Sequence, residues 1–324
     1  MISDNIALAA DMLKQGCLVA IPTETVYGLA ANIYNENAIK AIYDAKNRPL
    51  HTPLIVHIKG IECLETIANT IPSVAIRLAE RYWPGPLTLL LEKNRNVSDL
   101  VTAGYPRVAV RVPDHPVALA LLNQIDFPLA APSTNPFGGI SSSRAEHVEA
   151  HFKDLIGMVL QVGSCKRGIE SNIVGFDGNQ TIIYRLGSLP IEEIQEVVEK
   201  VVLINKAVQS PVAPGMLARH YGPETPLIFT KNIRYEVSRL KDNKVGLLLF
   251  NEALIGLPAQ FKQKVLSANG NLTEAATILY ETMHELDKVG LDYIVAEQFP
   301  EEGMGIVIND KLGRGSNGGF LALV

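Results

Sequence analysis

The chain has 324 residues, 47% of them hydrophobic and 6% aromatic, with a formal net charge of −5. That length suits two domains with a sizeable core, and the acidic balance excludes a basic nucleic-acid coat or a membrane-surface binder, so any anion site must be local. Cys17, Cys63 and Cys165 are far apart and lack CxxC spacing, which argues against a disulfide framework and suits a reducing cytoplasm; no signal-peptide pattern and no apolar run of spanning length is expected.

The first predicted element is a helix in "SDNIALAADMLKQG". Ile6, Ala9, Ala10 and Leu13 share a face, Ser3, Asp4 or Asn5 caps the start, and Gly16 ends it. Strands are predicted at 17–23, 53–58, 87–91, 108–112, 128–131, 158–162, 171–176 and 181–186, with helices at 36–46, 73–82, 116–124 and 144–152. This mixture predicts an α/β fold, a twisted mixed sheet with helices, in one domain at 1–202. The run "IEEIQEVVEKVV" at 191–202 reads as its closing helix. Residues 203–226 lose periodicity and read as a linker, yet Met216, Arg219, His220 and Tyr221 are not plain spacer residues. Beyond it, "PLIFT", "KVGLLLF" and "DYIVAEQF" are strand-like, a helix is predicted at 273–288 with Thr273 as cap, and another starts near Gly305. Residues 227–324 are therefore expected to form a smaller three-layer α/β, Rossmann-like domain.

The P-loop signature GxxxxGK[ST] does not occur. Polar groups instead gather where predicted strands end. "IPTETVYGLA" leaves its strand at Pro22 and presents Thr23 and Thr25, with Glu24 expected to point away by strand alternation. Lys46 and Arg48 follow a helix and read first as complements to its dipole, Thr52 as a turn hydroxyl, and His57 equally as a core or a ligand-binding histidine. Arg107 and Arg111 share one side of a strand with Ala109. Either an edge facing water or an anion explains that pattern, and two arginines in a buried strand need anions. "STNPFGGISSS" carries five hydroxyls in eleven residues, Ser133 and Ser141 among them, more than a helix cap requires. Ser171 lies on a strand after Glu170, and Arg185 ends "TIIYR". Cys165 beside Lys166 and Arg167 reads as structural rather than nucleophilic, and His147 with His151 as a solvated helix face rather than a metal pair.

In order, "PTETVYGLA", "AKNRPLHTPLIVHI", "YWPGPLTLLL", "VAVRVPDHP", "APSTNPFGGISSS" and "GIESNIV" resemble the motifs of YrdC-like threonylcarbamoyl-AMP synthases. "APGMLARHYGP" resembles the linker of the longer, two-domain members, and "GMGIVINDKLGRGS" the end of their C-terminal domain. The resemblance implies synthesis of L-threonylcarbamoyl-AMP from L-threonine, bicarbonate or CO2, and ATP, with release of pyrophosphate. The product would pass to a tRNA threonylcarbamoyl transferase for modification next to the anticodon. The resemblance further implies that Thr25, His57, Arg111, Ala131 and Ser171 surround threonine. Lys46, Arg48, Thr52, Arg107, Ser133, Ser141 and Arg185 would serve ATP, with Tyr221 reaching in from a lid-like linker. Lys46, Arg48 and Arg111 are expected to carry the catalytic charge, and Mg2+ to ride on the phosphates without protein ligands. Thr52 stands where asparagine is common, "QVG" replaces "DGG" before the cysteine, Asn172 and Ala213 depart from threonine and serine, and Lys311 stands where arginine is common. A tRNA- or double-stranded-RNA-binding module without chemistry, or another carbamoyl-adenylate-forming enzyme, is the competing expectation. The synthase reading also carries the expectation of weak tRNA contact at most, no membrane and a cytoplasmic location.

Overall fold

A computed structural model describes residues 1–161, 163–204, 212–217 and 219–316. The chain divides into two compact units: the first holds 1–137 and 142–217, the second 138–141 and the residues that follow 217.

The first unit is built on a mixed eleven-stranded sheet of order β1-β8-β2-β3-β7-β4-β6-β5-β9-β10-β11. Its strands are β1 (Ile2–Ser3), β2 (Val19–Ile21), β3 (Gly28–Asn32), β4 (Ile55–His57), β5 (Leu87–Glu92), β6 (Arg107–Arg111), β7 (Leu129–Ala130), β8 (Met158–Leu160), β9 (Asn172–Asp177), β10 (Gln180–Arg185) and β11 (Val201–Leu203). Helices form at Ile6–Lys14, Glu36–Lys46, Ser73–Tyr82, Pro116–Asn123 and Ala145–Phe152, close to the periodic segments. Asn5 caps the first through its side chain to the amide of Leu8, and Asn35 caps the second through the amides of Asn37 and Ala38. Ala9, Ala10 and Leu13 of the first helix and Leu121 and Leu122 of the fourth bury against Val19, Ile21, Ala30, Leu129 and Met158. Each large apolar side chain so buried contributes about 1.5–3 kcal/mol.

Two expectations need correction here. The segment 191–202 is not one helix: the helix stops at Gln195, and Val201–Leu203 pair in parallel with Thr181–Ile183. The β-branched run satisfies a sheet edge rather than continuing a helical stripe. Nor is 203–226 a uniform linker among its described residues. Ala213 and Met216 are buried with Ile55, Leu90, Ala109, Ile173, Ile182 and Tyr184, so residues 212–217 belong to the core of the first unit. Residues 205–211, 218 and, in "QVG", Val162 lie outside the described residues.

The second unit holds a parallel four-stranded sheet of order β12-β15-β13-β14, with β12 (Leu227–Thr230), β13 (Val245–Leu249), β14 (Phe261–Val265) and β15 (Tyr293–Glu297). Leu240, Val245, Leu247, Leu249, Phe261 and Val295 form its core. Helices Leu272–Asp287 and Gly303–Gly315 pack together. Asn271, not Thr273, caps the former, accepting from the amides of Thr273 and Glu274. The strand Phe261–Val265 and the helix Ile233–Arg239 escape the sequence reading, because "FKQKV" and "IRYEVSR" are short and mostly polar.

Candidate active site

Register on the central strands gathers the candidate residues. His57 of β4 lies opposite Arg111 of β6, and Ile55 opposite Ala109. Alternation then puts Arg107, Ala109, Arg111, Ile55 and His57 on one face. Tyr184 shares that face, because its hydroxyl accepts from Arg107 Nη1 at 3.2 Å. Between Ile183 and Arg185 the pairing with β9 shifts by a bulge, so Arg185 stands opposite Ile173. A bulge re-aims the side chains that follow it. Arg185 turns to Ser171, with Nε 3.0 Å from its carbonyl and Nη2 3.0 Å from its hydroxyl. The Ser171 hydroxyl also lies 2.8 Å from Thr88 Oγ1, a lone polar atom in the otherwise apolar "LTLLL".

Arg111 is the hub. It is 3% exposed, its Nη1 donates to Thr25 Oγ1 at 3.1 Å, and its Nη2 pairs with the Glu24 carboxylate. The other Glu24 oxygen accepts from the Asp114 amide at 3.1 Å, and the Glu24 carbonyl from the Arg167 amide at 2.7 Å. This overturns the expectation that Glu24 points away. β2 ends at Ile21, and residues 24–26 bend, so alternation does not extend to them. Thr23 Oγ1 holds the bend, receiving the amides of Thr25 and Val26 and donating to the Val26 carbonyl at 2.6 Å. Burial outweighs the Glu24 attraction and lowers the Arg111 pKa, and the nearby Arg185 lowers it further. Burial, with the Arg111 charge second, pushes His57 down to about 3, so its imidazole is neutral. Arg111 Nε and His57 Nδ1 are both buried with no hydrogen-bond partner among the described residues. Such atoms are costly unless something else satisfies them.

A second group adjoins the first through the backbone. Gly28 bridges to Ser133, and the Thr134 amide donates to the Tyr27 carbonyl at 2.8 Å. Lys46, 2% exposed at its helix end, donates to the Ser133 carbonyl at 2.6 Å and to that of Asn135. Burial first, and Arg48 second, lower its pKa well below that of an ordinary lysine. Arg48 Nη2 donates to the Pro53 carbonyl at 2.9 Å, and Thr52 donates to the Pro49 carbonyl at 2.6 Å. Lys46 and Arg48 are thus buried anchors of these loops, not exposed complements of a helix dipole. Ala131 is buried, its amide bonded to the Ile55 carbonyl. Ser141 and Tyr221 fall in the second unit.

Cys165 is buried and its thiol is pushed up to about 12, chiefly by burial, in keeping with a structural role. His147 is buried with Nδ1 3.5 Å from Ser143 Oγ, whereas His151 is exposed, so the two do not form a shared solvated face. Sequence reasoning missed Glu24 as a partner of Arg111, and Thr88 and Tyr184 as partners of Ser171 and Arg107. Thr88 and Tyr184 had a signal, a hydroxyl inside an apolar strand.

A sheet that buries cations and hydroxyls on one face, with donors left open, is the architecture of an anion-binding α/β enzyme domain. The model of the Sua5/YciO/YrdC family, described as "Telomere recombination", matches residues 11–187, and that of "Threonylcarbamoyl-AMP synthase, C-terminal domain" matches 189–316. Threonylcarbamoyl-AMP synthase of Pyrococcus abyssi is 38% identical over 321 residues, covering 96% of this chain and 94% of the relative. The Bacillus subtilis protein of that name is 36% identical, covering 97% and 93%. Among solved structures, that of Pyrococcus abyssi Sua5 complexed with L-threonine superposes with a TM-score of 0.89 at 36% identity, covering 96% of this chain and 94% of that one. The chain belongs to the Sua5/YciO/YrdC family of threonylcarbamoyl-AMP synthases, in its two-domain form.

Proposed function

We propose that the chain makes L-threonylcarbamoyl-AMP from L-threonine, bicarbonate or CO2, and ATP, releasing pyrophosphate. The observation that carries this reading is the buried Thr25–Arg111–His57 constellation with Arg111 Nε and His57 Nδ1 open, in a family whose Pyrococcus abyssi member was crystallised with L-threonine. In this reading Arg111 binds the threonine carboxylate. Glu24, Arg111 and Arg185 together sum to one positive charge, which balances one carboxylate. Neutral His57 and the Thr23 and Thr25 hydroxyls add no charge beside the amine. With the carboxylate so balanced, no added anion holds the amine as ammonium, and only the free amine captures CO2.

The carbamate oxygen then attacks the α-phosphorus of ATP and pyrophosphate leaves. This needs no enzyme nucleophile; it needs like-charged groups held together. Lys46, Arg48, Arg107 and Arg185, the hydroxyls of Thr52, Ser133, Ser141 and Ser171, and Tyr221 are the groups assigned to substrates. Lys46, Arg48 and Arg111 carry the catalytic charge. One cation–phosphate contact is worth about 4 kcal/mol at ~4 Å and an effective dielectric near 20, before desolvation. Mg2+ rides on the triphosphate, and the linker around His220 and Tyr221 closes as a lid that keeps water from the labile adenylate. The product passes to a tRNA threonylcarbamoyl transferase in the cytoplasm, with at most weak tRNA contact by this chain. No helix among the described residues is long and apolar enough to cross a membrane. The test is pyrophosphate release from ATP. It is expected only when threonine and bicarbonate are both present. Release independent of threonine, or none, removes the reading and leaves the RNA-binding module or a different carbamoyl-adenylate chemistry.

A further inference from the structure

The last two turns of helix Gly303–Gly315 bury three charged side chains: Asp310, Lys311 and Arg314 are each at most 2% exposed. Asp310 stands between the cations, with Arg314 Nε 2.9 Å from one carboxylate oxygen and Lys311 Nζ 3.4 Å from the other. Lys311 also places Nζ 4.6 Å from the centroid of the Tyr221 ring. The far end of a lysine over an aromatic face, away from water, is a favourable cation–π contact. The Tyr280 ring stacks at 5.9 Å and 25°, and His220 lies tilted at 4.0 Å.

The backbone is held as well. Tyr221 has φ +67°, a left-handed conformation uncommon for a residue with a side chain. The His220 amide donates to the Arg314 carbonyl at 3.1 Å. A Cβ on Gly222 would lie 2.9 Å from the Gly315 carbonyl oxygen, and one on Gly315 would lie 3.1 Å from that of Tyr221. A side chain on Gly222 would force the backbone to shift, and one on Gly315 would be tightly packed. The same turn reaches the 138–141 loop: the Gly222 amide donates to the Gly138 carbonyl at 3.0 Å, Gly139 bridges to Gly222, and His284 Nε2 lies 3.1 Å from the Ser141 carbonyl. Ser141 and Tyr221, two residues assigned to ATP, are therefore bound to one framework within the second unit.

We propose that Lys311, braced by Asp310, is a positioning residue for ATP. It holds the Tyr221 ring and, through the 220–222 turn, the loop carrying Ser141. This rests on the assignment of Tyr221 and Ser141 to the nucleotide. Lys311→Met keeps the length of the side chain, removes its charge and leaves Asp310 paired with Arg314. Lys311→Arg restores the cation, with the residue the resembling family commonly has there.

The experiment is steady-state pyrophosphate release by the full chain, with thermal unfolding alongside. Lys311→Met is expected to raise KM for ATP roughly tenfold, the loss of one desolvated cation–π contact, while KM for threonine stays within about twofold and Lys311→Arg recovers most of the loss. An unchanged KM for ATP, equal rises for both substrates, or no recovery with arginine overturns the proposal. If Lys311→Met does not fold, Tyr280→Leu, which removes the ring stacked 5.9 Å from that of Tyr221, has to reproduce the ATP-selective rise, and its failure to do so also overturns it. Activity in the wild-type chain with no ATP-selective defect in the variants sinks the positioning role alone. A wild-type chain without threonine-dependent release sinks the functional reading on which it rests.

Discussion

Each unit buries an ion cluster, and the two are built differently. In the first, Arg111 engages Glu24 and Thr25 through its two terminal nitrogens, yet Nε and the adjacent His57 Nδ1 have no hydrogen-bond partner among the described residues. In the second, Arg314 and Lys311 flank Asp310, and Lys311 turns its remaining face to Tyr221. Burying an ion pair seldom adds net stability, so its retention calls for another reason. An incompletely satisfied pair is poised for a ligand. A closed cluster around a left-handed tyrosine is suited to holding backbone.

The contrast can be broken most severely at the hub. Arg111→Ala leaves Glu24 buried without its cation, a cost of about 3–5 kcal/mol. Calorimetry should show threonine binding lost while binding of a non-hydrolysable ATP analogue survives at lower temperature. Equal loss of both would remove the carboxylate role from Arg111. A smaller effect is expected from Glu24→Gln, which keeps the shape and frees Arg111 to shift. Positioning of this kind is worth roughly 10–100-fold in kcat/KM for threonine, with the ATP KM little changed. Unaltered threonine kinetics would reduce Glu24 to a structural partner.

The mildest probe is pH. The folded-state pKa of His57 lies near 3, below the ordinary histidine value. Between the two values the unfolded chain binds more protons, so its stabilising contribution is complete above about pH 6.5 and is lost progressively as pH falls towards 3. By pH 5 this amounts to about 2 kcal/mol. Thermal unfolding of His57→Gln across pH 7 to 5 should fall less steeply than that of the unaltered chain; parallel slopes would show that His57 is not the linked group.

Much of the first unit was legible because its signals are local. Helices 36–46 and 73–82 match their periodic stripes, and Asn35 and Asn5 cap as their type favours. The alternation of "RVAVR" shows that Arg107 and Arg111 share a side, whatever the partner strands. Glu24 was misread because alternation was carried past Ile21 into a bend, and a bend is held by hydrogen bonds that the residue pattern does not encode. Residues 201–203 were misread because a short, valine-rich run satisfies helix and edge-strand patterns alike until a neighbour strand is present.

By itself, the sequence determined most element types, the two-part composition and the ordered motifs that carry the family resemblance, since propensity, capping and alternation act over a few residues. Only the tertiary structure decided that His57 stands opposite Arg111, that Glu24 shares that guanidinium, that a bulge turns Arg185 toward Ser171, and that Lys311 covers the Tyr221 ring. Those pairings join residues far apart in sequence or across a bend. They follow from strand register and close packing, which arise only when the whole sheet and its helices exclude water together.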